Sequence, residues 1–347
     1  MIKNIIKNIE MEPVCSVCIA NYNGIGLIGP CLRSILEQDF DYPIEIIVHD
    51  DASTDGSVDF LKEYFSSTIK LIESPGNVGF CVSNNRMASI ANGKYLLFLN
   101  NDAELLPGAV RAFYEHAEAQ SRDAILGIRQ YSAETGELVD FGIMFDPFLN
   151  SVPNLDLKQQ NVGMVMGACL WIPRRLWDEI GGFPDWFHTM HEDMYLCCIA
   201  RLYGYPVQVL KKSGYMHWIG KSLGGGKIVH DRITTSKSRR YLSERNRLYV
   251  VAMCYPEHWI YLIFPFHVFF LLAEGVFLSL HRKDTVLMKE IYLRAFIDAW
   301  KNRMRVLTLR RRIQKKISIK STAFFSVIQP IPHKFSILIK YGIPSIT

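Results

Sequence analysis

From Val14 to about Leu126 the chain alternates short apolar runs with stretches whose apolar positions recur at helical spacing. VCSVCIA (14–20) reads as a strand apolar on both faces, and LIGPCLRSILEQ after it as an amphipathic helix. The pattern continues with IEIIVHD (44–50), a helix from about Ser57, a strand in the 70–74 region, a helix from about Phe80, and KYLLFL (94–99). Strands apolar on both faces and separated by helices predict a mainly parallel, doubly wound α/β sheet. Residues 132–160 read as a loop-rich insertion, GMVMGACLWIP (163–173) resumes the strand pattern, and a helix is expected from near His191.

In such a sheet, ligands bind at the carboxyl ends of the strands. The polar clusters fall there: Asn21–Asn23 after the first strand, Asp50–Asp51 after the second, and Asn100–Asp102 after the fourth. Carboxylates at Asp50 and Asp51 can accept from a ribose hydroxyl or a base N–H, or serve as helix caps beside Ser53, Thr54 and Asp55. Asp102, with Glu104 two residues on, can hold a hard cation beside a diphosphate or close a turn. Glu192–Asp193 begins a helix, where the macrodipole favours acids and where a carboxylate can also act as a general base.

Three motifs mislead. Gly24-x-Gly26-x-x-Gly29 matches the dinucleotide fingerprint, with Asp50 at about the right distance downstream. Asn21, Tyr22 and Asn23 separate it from the strand, where the true fingerprint turns more tightly. Gly220-Lys221-Ser222 lacks the first P-loop glycine, and His191-Glu192 lacks the second zinc-protease histidine. Most cysteines lie inside apolar runs, and Cys15 and Cys18 would face opposite sides of one strand, so packed thiols are expected.

Charge divides the chain. The formal net charge is +5, yet residues 1–280 hold 24 Lys/Arg against 31 Asp/Glu, and residues 281–320 hold 13 against 3. The acidic front argues against nucleic-acid binding. The start, MIKNIIKNIEMEP, has no continuous apolar core and is not expected to be a secretory signal. Residues 259–280 are apolar at 17 of 22 positions, long enough to span a bilayer. Pro265 interrupts the run, and His267 and Glu274 lie seven apart on one helical face. A single span followed by the basic cluster would place the front half outside the cell, so a helix lying in the membrane interface, or re-entrant, is preferred. The alternative is a helix packed on the main domain, with RRRIQKK (310–316) a solvated face.

Taken in order, SVCIANYN, HDDASTDGS, NVGFCVSNNRMA, LFLNNDAEL, GACLWIPRRLWDEIGGFPDWFHTMHED, HWIGKS and the RNR of 245–247 resemble the family-two glycosyltransferases of GT-A fold, most like their rhamnosyltransferase-type members. The resemblance covers roughly residues 14–250. It implies a GT-A-type nucleotide-binding sheet flanked by helices (14–130 for the nucleotide-sugar half, 160–250 for the acceptor and base half), after a short lead (1–13). A C-terminal helical, membrane-associated extension (251–347) follows. It further implies inverting transfer of a sugar from a dTDP-, UDP- or GDP-linked donor to a lipid-linked or cell-surface glycan hydroxyl. By residue, the resemblance places Ala20 and Tyr22 along the nucleotide, Asp51 at the base, Asn85 in the donor pocket and Asn101 beside the donor sugar. Asp102 and His217 would hold Mg²⁺ or Mn²⁺, Asp193 would be the catalytic base with Glu192 its neighbour, and Lys221, Lys227, Arg245 or Arg247 would face the diphosphate. Ser222 and glycines 224–226 would form a mobile loop over it. The sequence departs from the family in the Asn-Asn start of the metal motif, in Tyr195 and in Ile199, and it lacks the Gln-x-x-Arg-Trp of processive synthases. Partners expected are the donor, the acceptor and an anionic membrane surface on the cytoplasmic side, with peripheral or monotopic attachment. Two other readings stay open: an NAD-dependent oxidoreductase on GIGLIG, and a non-catalytic sugar-nucleotide-binding scaffold.

Overall fold

The computed structural model describes residues 12–220, 225–229 and 232–346. The expected alternation is present: β1 (Cys15–Asn21), α1 (Ile28–Leu36), β2 (Ile44–Asp50), α2 (Ser57–Phe65), β3 (Lys70–Glu73), α3 (Phe80–Ile90) and β4 (Tyr95–Leu99). Then come β5 (Ala103–Leu105), α4 (Ala109–Ala119), β6 (Ile125–Ser132), β7 (Leu138–Asp140), β8 (Ile143–Phe145) and β9 (Ser151–Pro153). They lead to β10 (Cys169–Pro173), α5 (Arg174–Ile180), α6 (Glu192–Leu202), β11 (Val207–His217), β12 (Gly225–Val229) and β13 (Arg232–Thr235). Helices α7 (Lys237–Cys254), α8 (Glu257–Arg282), α9 (Arg294–Lys301), α10 (Arg303–Lys315), α11 (Ser321–Phe325) and α12 (His333–Tyr341) complete the chain, with a short β14 (Ser345–Ile346).

The main sheet has the order β3-β2-β1-β4-β10-β6-β11-β5, with β7 beside β6. Pairs β3–β2, β2–β1, β1–β4 and β6–β11 are parallel, whereas β10 runs antiparallel to both neighbours. The chain winds outward from β1 to β3 and then crosses back to β4, so the strand order reverses between β1 and β4. A crevice opens beyond the strand carboxyl ends at such a switch point. That is where the sequence puts Asn21, Asp50 and Asn100–Asp102.

Alternation along β1 sorts its side chains to two cores, as the pleat requires. Cys15, Val17 and Ile19 pack with α1, α2 and α4, and Cys18 packs with α3, α5 and α6 on the opposite face. All eight cysteines are buried and free, which agrees with packed thiols.

Two features go beyond these expectations. Residues 132–160 are loop-rich, with three short strands, yet they reach the core: Phe141, Phe145 and Leu149 are fully buried. Phe145 belongs to a strand of only three residues, too short to display a period, and Phe141 and Leu149 lie in the turns on either side of it. Second, a boundary at residue 250 falls inside α7, and the extension shares the catalytic-side core through Val306, Ile313, Phe324 and Val327. The physical reason lies at the end of α7, whose last carbonyls have no partner within the helix. Arg310 Nη1 donates to Ala252 O (3.0 Å) and Tyr255 O (2.7 Å), and Gln314 Nε2 donates to Met253 O (3.1 Å). A cation there also complements the helix dipole. Part of the basic run therefore docks the extension onto the domain. Arg310→Ala should lower the unfolding free energy by about 1.5–3 kcal/mol, the range for hydrogen bonds to a charged group; urea denaturation of the full chain checks this.

Candidate active site

A hydrogen-bonded chain of side chains ties three strand ends together. Asn101 Nδ2, just past β4, donates to Asn21 Oδ1 (2.8 Å) at the end of β1. Asn21 Nδ2 donates to Asp50 Oδ2 (2.8 Å) at the end of β2, and Ser53 Oγ donates to the same oxygen (2.7 Å). Buried amides and carboxylates require such partners. Gly24 is dictated by this chain: a Cβ there would lie 2.2 Å from Asn101 Nδ2 and 2.4 Å from Asn21 Oδ1. The glycine that mimics a dinucleotide fingerprint thus serves a side-chain ladder. Asp50, which the oxidoreductase reading would reserve for a ribose, is a member of the ladder.

The loop after β2 clamps the loop after β1. Asn23 N donates to Ser53 Oγ (2.9 Å), Thr54 N to Asn23 Oδ1 (2.8 Å) and Ile25 N to Asp55 Oδ2 (2.9 Å). Ala20 is half-buried and Tyr22 exposed along this rim. Asp51 is buried, and its oxygens accept from Val78 N (2.7 Å) and Gly79 N (2.9 Å), fixing the turn into α3. Asn85 on α3 uses its amide on Phe183 N (3.0 Å), Phe183 O (2.8 Å) and Asp185 Oδ1 (2.5 Å). It shapes the site by holding the segment that leads to α6.

Asp102 lies beyond β4 and His217 at the end of β11, brought together by the pairing of β11 with β5. His217 Nε2 and Asp102 Oδ1 are 3.1 Å apart, both residues are buried, and His217 Nδ1 has no hydrogen-bond partner among the described residues. No group of three or more His, Cys, Asp or Glu among the described residues is placed to hold a metal ion. One carboxylate and one imidazole nevertheless fit a cation that takes its remaining oxygens from a substrate diphosphate.

Glu192 and Asp193 open α6 and are both buried. Asp193 Oδ2 accepts from Gly167 N (3.0 Å) and Oδ1 from Met194 N (2.7 Å). Burial raises the Asp193 carboxyl above its ordinary value, and those backbone N–H groups oppose the rise. Burial, and then the Asp193 charge, push Glu192 up to about 8. The two carboxyls titrate as a pair, in which the Asp193 charge opposes ionisation of Glu192 and so helps that residue keep its proton. Asn100 N donates to Ala168 O (3.0 Å), next to Gly167, so the strand end bearing Asp102 and the support of Asp193 are adjacent.

The approach to α6 is strained. His188, Met190 and His191 have φ of 67°, 73° and 65°, a region that non-glycine residues seldom occupy. Fully buried Asn246 of α7 holds it, its Nδ2 lying 3.1 Å from Phe187 O, 2.8 Å from Thr189 O and 2.7 Å from Met190 O. Arg245 beside it donates to Phe187 O (2.9 Å) and Asn246 Oδ1 (2.9 Å) and lies over the Tyr241 ring. Arg247 is buried against Glu244. Gly79 (φ 89°) lets the His188 ring approach to where its Cβ would be. Gly167 and Asn246 are the site-building residues that sequence reasoning missed. Only the run Arg-Asn-Arg drew notice to the latter. Lys221, Ser222 and Gly224 lie outside the described residues, as does the side chain of Lys227.

Residues 16–181 match the family model described as Glycosyl transferase family 2. The matched stretch, just under half of the chain, is similar to a family 2 glycosyltransferase domain. It is 28% identical over 158 residues to the poly(ribitol-phosphate) beta-glucosyltransferase of Bacillus spizizenii, a stretch covering 44% of this chain and 24% of that protein. The chain spans about a quarter to a third of the length of the curated relatives it first matches. Among solved structures, S. aureus TarS 1–349 superposes with a TM-score of 0.53 at 18% identity, over 90% of this chain and 89% of that one. GalNAc-T7 with UDP, GalNAc and Mn²⁺ gives a TM-score of 0.56 at 15% identity, over 71% and 49% of the two chains. The fold is GT-A-like, a mainly parallel curled sheet flanked by helices, with a C-terminal helical region. The TarS superposition extends that likeness well beyond the matched stretch.

The carboxylate pair has a stability signature. A buried acid whose folded pKa is raised loses stability as pH climbs from its unfolded value towards its folded one. The wild type should lose thermal stability between about pH 5 and 8, and Glu192→Gln should flatten that loss. Melting temperatures across this range, measured for both proteins, check it.

Proposed function

We propose that this protein transfers a sugar from a nucleoside-diphosphate donor to an acceptor hydroxyl, with inversion at the anomeric carbon. The observation that carries the reading is Asp193. It is buried at the start of α6, held by the Gly167 N–H and set beside Glu192, on the rim that also bears the Asp102–His217 pair. Asp193 takes the proton as the acceptor oxygen bonds to the anomeric carbon and the bond to the diphosphate oxygen breaks. Glu192, protonated below about pH 8, can donate a hydrogen bond to the acceptor. Asp51 and the 53–55 loop shape the base pocket, with Ala20 and Tyr22 along the nucleotide, while Asn101 faces the sugar from the ladder. Mg²⁺ or Mn²⁺ held by Asp102 and His217 would supply charge that stabilises the departing diphosphate. The family 2 match, the glucosyltransferase relative and the Mn²⁺ and UDP of GalNAc-T7 support this reading. The resemblance to rhamnosyltransferase-type members makes a rhamnose donor the first to test.

The proposed setting is the cytoplasmic face of a membrane, with a lipid-linked or cell-surface glycan as acceptor. Support comes from α8, whose segment His258–Arg282 is long and apolar enough to span a bilayer and is only 17% buried over its most apolar window. His267 and Glu274 face the protein, whereas Tyr261, Phe269 and Leu280 are exposed. Exposed Trp300 and Met304 stand among basic residues of α9 and α10. An apolar face rimmed by cations suits a helix lying on an anionic membrane.

Thermal-shift measurements with dTDP, UDP, GDP and NAD, each with and without Mn²⁺, test the donor class. Stabilisation by one nucleoside diphosphate that grows with Mn²⁺ is expected, and stabilisation by NAD alone would overturn the reading. Asp193→Asn should lower transfer by about 10²–10⁴-fold, the range for a general base, while keeping the nucleotide-induced shift. Near-normal turnover of Asp193→Asn would refute the assignment. For the membrane setting, the full chain should float with anionic vesicles. Tyr261→Glu/Leu280→Glu should float several-fold less, and equal flotation would count against attachment through α8.

A further inference from the structure

A cavity of about 370 Å³ lies between α7, α8 and α12, away from the Asp102–His217 pair. One wall is charged. Arg240, Arg247 and Lys334 surround Glu244 and Glu274: Lys334 Nζ is 2.8 Å from Glu244 and 2.6 Å from Glu274, Arg240 is 3.1 Å from Glu244, and Arg247 pairs with Glu244. Three cations thus meet two carboxylates, largely out of water. Asp146, the nearby third carboxylate, is saturated by the N–H groups of Phe148, Asn150 and His333 and by the Asn150 side chain, and it does not line the cavity. An excess buried positive charge is costly unless an anion joins it. Arg247 Nε and His267 Nε2, both on cavity-lining residues, are buried without a hydrogen-bond partner among the described residues.

The rest of the lining is apolar and open. Phe270, Phe277, Phe335 and Leu338 line it and remain 39%, 49%, 50% and 40% exposed, on the helices that also carry the exposed apolar face. The charged end adjoins the support of the general base: Ser243 Oγ is 3.0 Å from His191 Nε2, immediately before Glu192, and Glu244 follows Ser243. We propose that this cavity binds the phosphate-bearing end of a lipid-linked acceptor, its anionic group at Arg247, His267 and Lys334 and the start of its hydrocarbon chain along Phe270, Phe335 and Leu338. The inference rests on the glycosyltransferase reading for the word acceptor, but the binding site itself stands on the cavity.

Farnesyl phosphate, farnesol and inorganic phosphate serve as probes for equilibrium binding to the full chain in mild detergent, with no nucleotide present. Farnesyl phosphate should bind at least ten-fold more tightly than farnesol, and inorganic phosphate should not compete at equal concentration. Ala273→Trp fills the exposed rim of the cavity, and Lys334→Gln removes the excess charge; each should weaken farnesyl phosphate binding ten-fold or more. Ala273→Trp should keep the wild-type melting temperature, which separates blockage from misfolding. Equal binding of farnesol, or unchanged binding by Ala273→Trp, would overturn the assignment. Lipid binding in this pattern without sugar transfer to any acceptor would refute the proposed activity and leave the cavity assignment standing. Transfer to a soluble glycan without lipid binding would do the reverse.

Discussion

The site depends first on one buried hydrogen-bond chain, Asn101 to Asn21 to Asp50. A parallel sheet covered on both faces leaves its strand ends as the place where polar groups emerge beside a crevice, and buried polar groups there must find one another. The chain meets this demand with two amides and a carboxylate at the ends of β4, β1 and β2, in the order in which those strands neighbour one another. Gly24 is small because the amides occupy the space its side chain would need. The β1–α1 loop turns where it does for the same reason, and the dinucleotide-like glycine spacing is a by-product.

The second support comes from the far end of the chain. Placing two carboxylates at the start of α6 requires three residues in left-handed backbone conformations, each of which costs of order 1–3 kcal/mol unless surrounding contacts impose it. Asn246 supplies the restraint by gathering the carbonyls of Phe187, Thr189 and Met190, so α7 belongs to the active site although it begins well after the carboxylates. Helix α10 in turn covers the end of α7 through Arg310. A path of definite contacts thus joins the basic extension to the residue proposed as the base.

Much of the front half was legible because its strands and helices are long enough to show their periods, and because polar residues at strand ends stand out against apolar runs. The carboxylates were legible in the same way, as acids in fixed order behind recognisable strands, whereas only the family resemblance pointed to His217. What escaped had weaker signals. Phe145 sits in a strand too short for any period to appear, and Phe141 and Leu149 in the turns that flank it. Asn246 looks like an ordinary polar residue of a long helix, and its role exists only because the tertiary fold brings residues 187–190 against it. Gly167 acts through its N–H, which every residue but proline possesses. Nothing in its identity announces that it holds Asp193.

Charge shows the same gap between composition and arrangement. The +10 balance of residues 281–320 suggests a surface that meets anions, yet Arg310 faces carbonyl oxygens at a helix end and works as a cap. Conversely, Arg240, Arg247 and Lys334 do not stand out in the linear charge pattern, because two of them lie in the acidic front part and the third beyond the basic run. The fold collects them around two glutamates and leaves one positive charge in excess. Where a chain places its charge in space, and how far each charge is removed from water, decides which cations dock helices and which are available to a ligand. By that criterion the functionally informative cations of this protein are the few that burial has concentrated at one cavity.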